Sequence, residues 1–264
     1  MTTETVLITG HRGSLGYSFS QYMLEKGNKV IGFDSSISQD ESSQENGLFR
    51  EFKVDVTKQE SIDSAVTKLQ RLGTSIDSLV HFAAVNPTSD SLIRGHDLRS
   101  QSTSQIQTYL EVGTLGAVRV IQGLLDLFAT QSSILLVGSD LSLISPNQNL
   151  YCECDRNNLD NHRSFCRVKP LAYSVDKAAI LGLTRYLATL FATSEKAIRV
   201  NCVCIGAVNL NFTTEFEARI SEQIPLGRPA QANEYNPLFH FLSSRQNSYM
   251  TGAIISCDGG RTSW

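Results

Sequence analysis

Val6-Leu7-Ile8-Thr9-Gly10-His11-Arg12-Gly13-Ser14-Leu15-Gly16 is the stretch that decides how this chain folds. Val6 to Ile8 is an apolar run of strand length. Glycines follow at positions 10, 13 and 16. The amphipathic stretch Tyr17 to Lys26 then reads as a helix. Strand, glycine-rich turn and helix together make a cradle for a pyrophosphate. Glycine lets the backbone turn sharply and approach the phosphates, and the first amides of the helix donate to them. The candidate contacts are Gly10, Arg12, Gly13, Ser14, Leu15 and Gly16. A second apolar strand, Lys29 to Phe33, ends on Asp34, about 20 residues past the turn, where a carboxylate takes the ribose hydroxyls.

The 264 residues suit a single large α/β domain, 1–264, able to bury a core without disulfides or metals. A formal charge of -3 implies no basic face and does not favour nucleic acid as a partner. The start, Met1-Thr2-Thr3-Glu4, has no basic region and no long apolar run, so no secretory signal is expected. No apolar run approaches the ~18 residues of a membrane span. Six cysteines in a chain of this length read as reduced cytosolic thiols. The expectation is a cytoplasmic enzyme with a small-molecule substrate.

Strand and helix patterns alternate along the whole chain, the mark of a parallel sheet covered on both faces. The predicted fold is a Rossmann-type doubly wound parallel sheet of about seven strands. Ser35 to Gly47 reads as a loop, Leu48 to Val54 as a strand ending at Asp55-Val56, and Gln59 to Leu72 as a helix. Ile76 to Ala84 is a strand, Ile106 to Phe128 a helix, and Ser133 to Val137 a strand followed by Gly138-Ser139. Asp140 to Pro170 is a long irregular insertion. Leu171 to Ala192 is the clearest helix. Ile198 to Ile205 is a strand, Phe212 to Gln223 and Ala232 to Leu242 are helical, and Ala253 to Cys257 is the last strand.

Tyr173 and Lys177 are four apart on that clearest helix and share a face. A free tyrosine, with a pKa near ~10, is a poor base at neutral pH. An ammonium at about 4 Å in an effective dielectric of ~20 favours the phenolate by ~4 kcal/mol, about three pKa units. That would make Tyr173 a usable general acid/base. Ser139, at the carboxyl end of the preceding strand, is placed to hold a substrate oxygen.

These motifs resemble the short-chain dehydrogenase/reductase family. Thr9-Gly10-x-x-Gly13-x-x-Gly16 is similar to its cofactor turn, and Asp55-Val56 to the pair beside the adenine ring. Ser139, Tyr173 and Lys177 match its catalytic trio. Ile198-Arg199-Val200-Asn201, Ile224-Pro225-Leu226-Gly227-Arg228, Thr251-Gly252 and Asp258-Gly259-Gly260 resemble its C-terminal signatures. The resemblance implies NAD(P) as cofactor, with Ala83, Ala84, Gly206 and Val208, besides Tyr173 and Lys177, among its contacts. It also implies a homodimer or homotetramer built partly on the helix 171–192.

The chain mixes two forms of the family. Its glycine spacing and His81-Phe82-Ala83-Ala84 resemble the extended form, which mostly handles nucleotide sugars. Everything from Tyr173 onward resembles the short form. Between Ser139 and Tyr173 lie 33 residues, more than the short form usually has, so an insertion sits beside the substrate site. The combination is similar to members associated with bacterial surface-sugar and flagellin-glycan synthesis. Three positions depart from the pattern. Gly113 falls where an asparagine often supports a water relay to the lysine, Ile205 where proline is usual, and Leu210 where a threonine often meets the nicotinamide amide.

The resulting expectation is hydride transfer between NAD(P) and a carbonyl/secondary alcohol pair, with NAD favoured by Asp34. Two alternatives stay open: a nucleotide-sugar epimerase or dehydratase on the same trio, and a non-catalytic dinucleotide-binding module. Cys152, Cys154, His162 and Cys166 have ligand types that suit zinc, but the tight Cys-x-Cys spacing favours free thiols, and no metal is expected. Cys202 and Cys204 read as core, and His81 as a structural hydrogen-bonding group.

Overall fold

A computed structural model of the chain describes residues 3–38, 41–43, 47–87, 92–94, 97–151 and 167–264. Its centre is one sheet. The strands, in chain order, are β1 (Thr5–Thr9), β2 (Lys29–Asp34), β3 (Glu41–Ser43), β4 (Phe49–Lys53) and β5 (Ile76–His81). β6 (Ile93–Arg94), β7 (Phe128–Ser139), β8 (Arg167–Val168), β9 (Arg199–Ile205) and β10 (Ile254–Cys257) follow. The sheet order is β10-β9-β7-β5-β1-β2-β4-β3. Seven of these strands are parallel, and β3 joins the edge antiparallel to β4. The Ser35–Gly47 stretch is therefore not all loop, because part of it caps the exposed edge of β4. β6 and β8 form a separate antiparallel pair.

The helices are α1 (Ser14–Glu25), α2 (Gln59–Arg71), α3 (Thr103–Val112), α4 (Thr114–Leu124), α5 (Leu171–Ala192), α6 (Thr214–Ser221) and α7 (Asn236–Ser243). Strand residues alternate between two cores. Leu7, Ile134, Leu136, Val200 and Cys202 pack with Ile62, Leu69, Val120 and Ile180 on the face covered by α2, α4 and α5. Val6, Ile8, Leu135, Val137 and Val203 pack with Phe19, Met23 and Phe239 on the face covered by α1 and α7. Alternation with both faces buried is why each strand reads as a near-continuous apolar run.

The strand order reverses between β1 and β5, and the crevice at such a switch point is where open α/β sheets take their ligands. The predicted helix 106–128 is two helices. Gly113 ends α3 and begins α4, and the chain enters β7 at Phe128. Gly113 has an ordinary φ of -75°, so the break does not come from a left-handed glycine. Its cause is a neighbour described below.

Candidate active site

The dinucleotide side is built from backbone. Gly10 takes φ +65°, and a Cβ there would lie 2.9 Å from Ala83 N. A Cβ on Gly16 would run into the Gly10 carbonyl. The turn closes through Gly13 N–H donating to Gly10 O at 3.0 Å and Tyr17 N–H to Gly13 O at 2.7 Å. Ser14, Leu15 and Gly16 form the first turn of α1, which has no acidic residue and no side-chain cap. Their amides are the orphan donors of a helix N-terminus, suited to an anion.

A cleft of about 370 Å³ opens beside this turn. The turn contributes Gly10, Arg12 and Gly13, and β2 contributes Asp34. The segment after β4 contributes Asp55 and Val56, and the segment after β5 contributes Ala83 and Ala84. Asp34 is anchored rather than free. Its Oδ2 accepts from Arg12 N at 3.0 Å, and its Oδ1 accepts from Ser36 N at 2.9 Å and Ser36 Oγ at 2.7 Å. Burial alone would raise its pKa, but these hydrogen bonds prevail and hold it below the usual carboxylate range. The Arg12 guanidinium is engaged elsewhere, with Nη2 2.7 Å from Glu51 Oε1 and Nε 3.2 Å from Glu51 Oε2. His11 Nε2 lies 3.0 Å from the same carboxylate. Glu51 thus engages both the Arg12 guanidinium and the His11 ring, whose pKa burial lowers. A glycine cradle that a Cβ would fill, free helix amides and a placed carboxylate fit a dinucleotide.

The three residues expected to form a catalytic trio lie near the carboxyl end of β7. Ser139 ends β7, and Tyr173 and Lys177 lie in the first two turns of α5. The expected electrostatics are not what this structure shows. Burial pushes the Tyr173 phenol up to about 12. The neighbouring Ser139 hydroxyl opposes that rise, while Asp140, Asp176 and Tyr109 add to it. The Lys177 ammonium is tied to β7. Its Nζ donates to Val137 O at 3.0 Å. Burial lowers its pKa, and the neighbouring Asp176 opposes the shift. The i, i+4 spacing places both residues on one face, and the ammonium's hydrogen bond goes to the Val137 carbonyl.

Ser139 is also committed. Its Oγ donates to Asp140 Oδ1 at 2.9 Å and accepts from Leu141 N at 3.1 Å. The other Asp140 oxygen, Oδ2, accepts from Arg261 Nη1 at 2.7 Å, and both side chains are about 5 % exposed. The sequence reading missed Asp140 and Arg261. They lie 121 positions apart, and no local pattern announces such a pair.

Asp176 explains Gly113. Its Oδ1 accepts from Thr114 N at 3.0 Å and Thr114 Oγ1 at 2.8 Å, and its Oδ2 occupies the place a Cβ on residue 113 would take. Thr114 and Asp176 thus pin α4 to α5 where α3 gives way to α4. The Gly113 carbonyl accepts from His81 Nε2 at 3.0 Å, which fixes the tautomer, and His81 Nδ1 then accepts from Thr9 Oγ1 at 2.8 Å. Burial, with Lys177 nearby, lowers the His81 pKa to about 4, so the ring is neutral. The position expected to carry an asparagine relay is instead closed by Asp176 and His81.

Lys169, four residues before Tyr173, is the other group the sequence reading passed over. Its Nζ lies 4.3 Å from the centre of the Tyr173 ring and 5.8 Å from that of Tyr151. Gly206 and Val208 follow β9. A Cβ on Gly206 would crowd Asp258 Cα at 2.7 Å, and Val208 bridges to Ala230. Cys202 and Cys204 are buried as expected. Cys152, Cys154, His162 and Cys166 lie outside the described residues.

Fold and site together define a dinucleotide-binding α/β oxidoreductase with a serine, a tyrosine and a lysine at the strand ends. The family model "short chain dehydrogenase" matches residues 4–152, and "Enoyl-(Acyl carrier protein) reductase" matches residues 161–262. The chain belongs to the short-chain dehydrogenase/reductase family, an NAD(P)-dependent oxidoreductase family. It is 28% identical to Protein FixR of Bradyrhizobium diazoefficiens, over 98% of this chain and 86% of that one. It is 25% identical to 2-(S)-hydroxypropyl-CoM dehydrogenase 3 of Xanthobacter autotrophicus, over 99% and 98%. A short chain dehydrogenase from Leptospira borgpetersenii, solved with bound NAD+, superposes with a TM-score of 0.81 at 22% identity, over 99% and 94%. Among the described residues no helix is long and apolar enough to cross a membrane.

Proposed function

We propose that the chain transfers a hydride between NAD(H) and a carbonyl/secondary alcohol pair, with Tyr173 as the general acid/base. The observation that carries this reading is the placement of Tyr173, in the first turn of α5, beside Ser139 at the carboxyl end of β7. Gly10, Gly13 and the amides of Ser14 to Gly16 would hold the pyrophosphate, and Asp34 the adenosine ribose. Asp55, Val56, Ala83 and Ala84 would flank the adenosine, while Gly206, Val208 and Lys177 lie toward the other end. Bound there, the nicotinamide supplies or takes the hydride. Tyr173 gives the substrate oxygen its proton in reduction and removes it in oxidation. A phenol held near 12 is mainly protonated at neutral pH, which suits the reductive direction. Ser139 positions the same oxygen once its hydroxyl turns from Asp140.

Asp34 favours NAD(H) because a carboxylate accepts from ribose hydroxyls and repels a 2′-phosphate. Arg12, tied to Glu51, does not offset this. A sugar or nucleotide sugar with an oxidisable secondary hydroxyl is the first substrate class to try. Exposed Val175, Tyr186 and Leu190 on α5 support assembly as a homodimer or homotetramer.

Tyr173→Phe keeps the ring and removes the transferable proton. Turnover should fall by roughly 10²–10⁴-fold while NADH binding, read by fluorescence, stays within about twofold. Equal turnover by the variant would end this reading. A binding-only module is the second reading, favoured by Lys177 being engaged at Val137. NADH binding with no turnover across sugars, nucleotide sugars and simple ketones would select it.

A further inference from the structure

The substrate side of the site holds a cation with no ion pair among the described residues. Asp140 and Arg261 cancel each other at 2.7 Å, and Asp140's other oxygen is taken by Ser139 and Leu141 N. Arg261 Nη2 reaches Gln223 Oε1 at 3.3 Å, so its fork is spent inside the protein. Lys177 has its carbonyl at Val137 and Asp176 as a charged neighbour. Lys169 rests on aromatic rings. Its ammonium sits over Tyr173 and Tyr151, and among the described residues no carboxylate lies within ion-pair distance of it.

Its placement is not accidental. Lys169 N donates to Gln148 Oε1 at 2.9 Å, which ties the segment entering α5 to the turn that carries Tyr151. Tyr151 in turn packs on Phe216 of α6. The ammonium is therefore fixed between the reacting phenol and an apolar wall. Contact with ring faces returns less than taking an ammonium out of water costs. Burial lowers its pKa to about 8, with Asp140 opposing and Arg261 reinforcing the shift.

We infer that Lys169 is an anion subsite and that the substrate is an alcohol or carbonyl compound bearing a carboxylate near the reacting carbon. The inference rests on the hydride-transfer reading and narrows its substrate class to hydroxy or oxo acids, acidic sugars included. A carboxylate fits better than a phosphate on two counts. The described residues leave one positive charge here, whereas a phosphate ester carries close to two negative ones. Phosphate also favours a free arginine fork, and Arg261 is occupied.

Matched pairs test it: 3-hydroxybutyrate against its methyl ester, and glucuronate against glucose, each followed by NAD+ reduction. The wild type should prefer the acid at least tenfold in kcat/KM. Lys169→Met should remove that preference through the KM of the acid, leaving the neutral partner within about threefold. Lys169→Arg should keep part of it, and Lys169→Gln replaces the methionine variant if that one does not fold. Where no pair turns over, calorimetry on the NADH complex compares acetoacetate with methyl acetoacetate, and tighter binding of the acid that is lost in Lys169→Met supports the subsite. Equal handling of acid and neutral partner by the wild type overturns it, as does no binding of acetoacetate or an equal loss on both partners in Lys169→Met. Tyr173→Phe separates the two ideas, because it should stop turnover and leave the acid preference in binding intact.

Discussion

The two sides of the ligand edge are made of different materials. The dinucleotide side, at β1, β2 and β5, is a glycine turn, helix amides and a half-exposed carboxylate. The substrate side, at β7, β9 and α5, is a set of buried charges: Asp140 with Arg261, Asp176 with Lys177, and Lys169 on aromatic rings. A backbone site is assembled by neighbours in sequence and tolerates changes around it. A site of buried charges depends on every partner, because a charge left alone in the interior is costly.

Removing one partner of the buried pair gives the sharpest contrast. Arg261→Ala strands the carboxylate of Asp140, which is 3% exposed, and should cost about 3–5 kcal/mol in urea denaturation. Arg12→Ala, on the exposed side of the Glu51 pair, should cost much less. Similar losses would erase the distinction. Asp140→Leu combined with Arg261→Met should recover most of the stability, since a well-packed apolar pair does not need the charges.

Acid comes next. His81 has a folded pKa of about 4 against an unfolded value of about 6.5. A depressed folded pKa means its contribution is whole above the unfolded value and is lost as pH falls through the folded one. Unfolding free energy should therefore drop by up to ~3 kcal/mol between pH 7 and pH 4 from this group. His81→Gln should flatten that part of the profile. An unchanged slope would show that His81 does not need to stay neutral.

Gly113→Ala should cost about 1–3 kcal/mol by overpacking, because the new Cβ meets Asp176 Oδ2. The φ of -75° there suits alanine, so the loss is steric, and Asp176→Ser in the same background should relieve it. If it does not, the α3–α4 break has another cause. The smallest effect belongs to the dinucleotide side. Asp34→Ala should shift the ratio of NADPH to NADH affinity by about tenfold toward NADPH, with stability nearly unchanged. A wild type that binds NADPH more tightly would refute the assignment of Asp34.

Much of this was legible in the chain. The glycine turn, β1, α1, β2 and Asp34 lie within 34 residues, and their signals are local: apolar period, glycine spacing and a carboxylate at a strand end. The α5 helix and its Tyr173–Lys177 face were legible for the same reason. The break at Gly113 was not, because its cause sits on α5, 63 positions away. β3 was not either, because a three-residue edge strand in a polar stretch is defined by the neighbour it pairs with.

The sequence by itself determined the doubly wound sheet and the order of its parallel strands along the chain. Periodicity and turn chemistry act over a few residues, and those are written in order. Only the tertiary structure decided what the edge residues do to one another. It sent Lys177 to Val137, turned Ser139 toward Asp140, closed the Gly113 position with Asp176 and set Lys169 on the ring of Tyr173. These are Coulombic and hydrogen-bonding choices made among groups that the fold brings together from distant parts of the chain, and burial sets their strength.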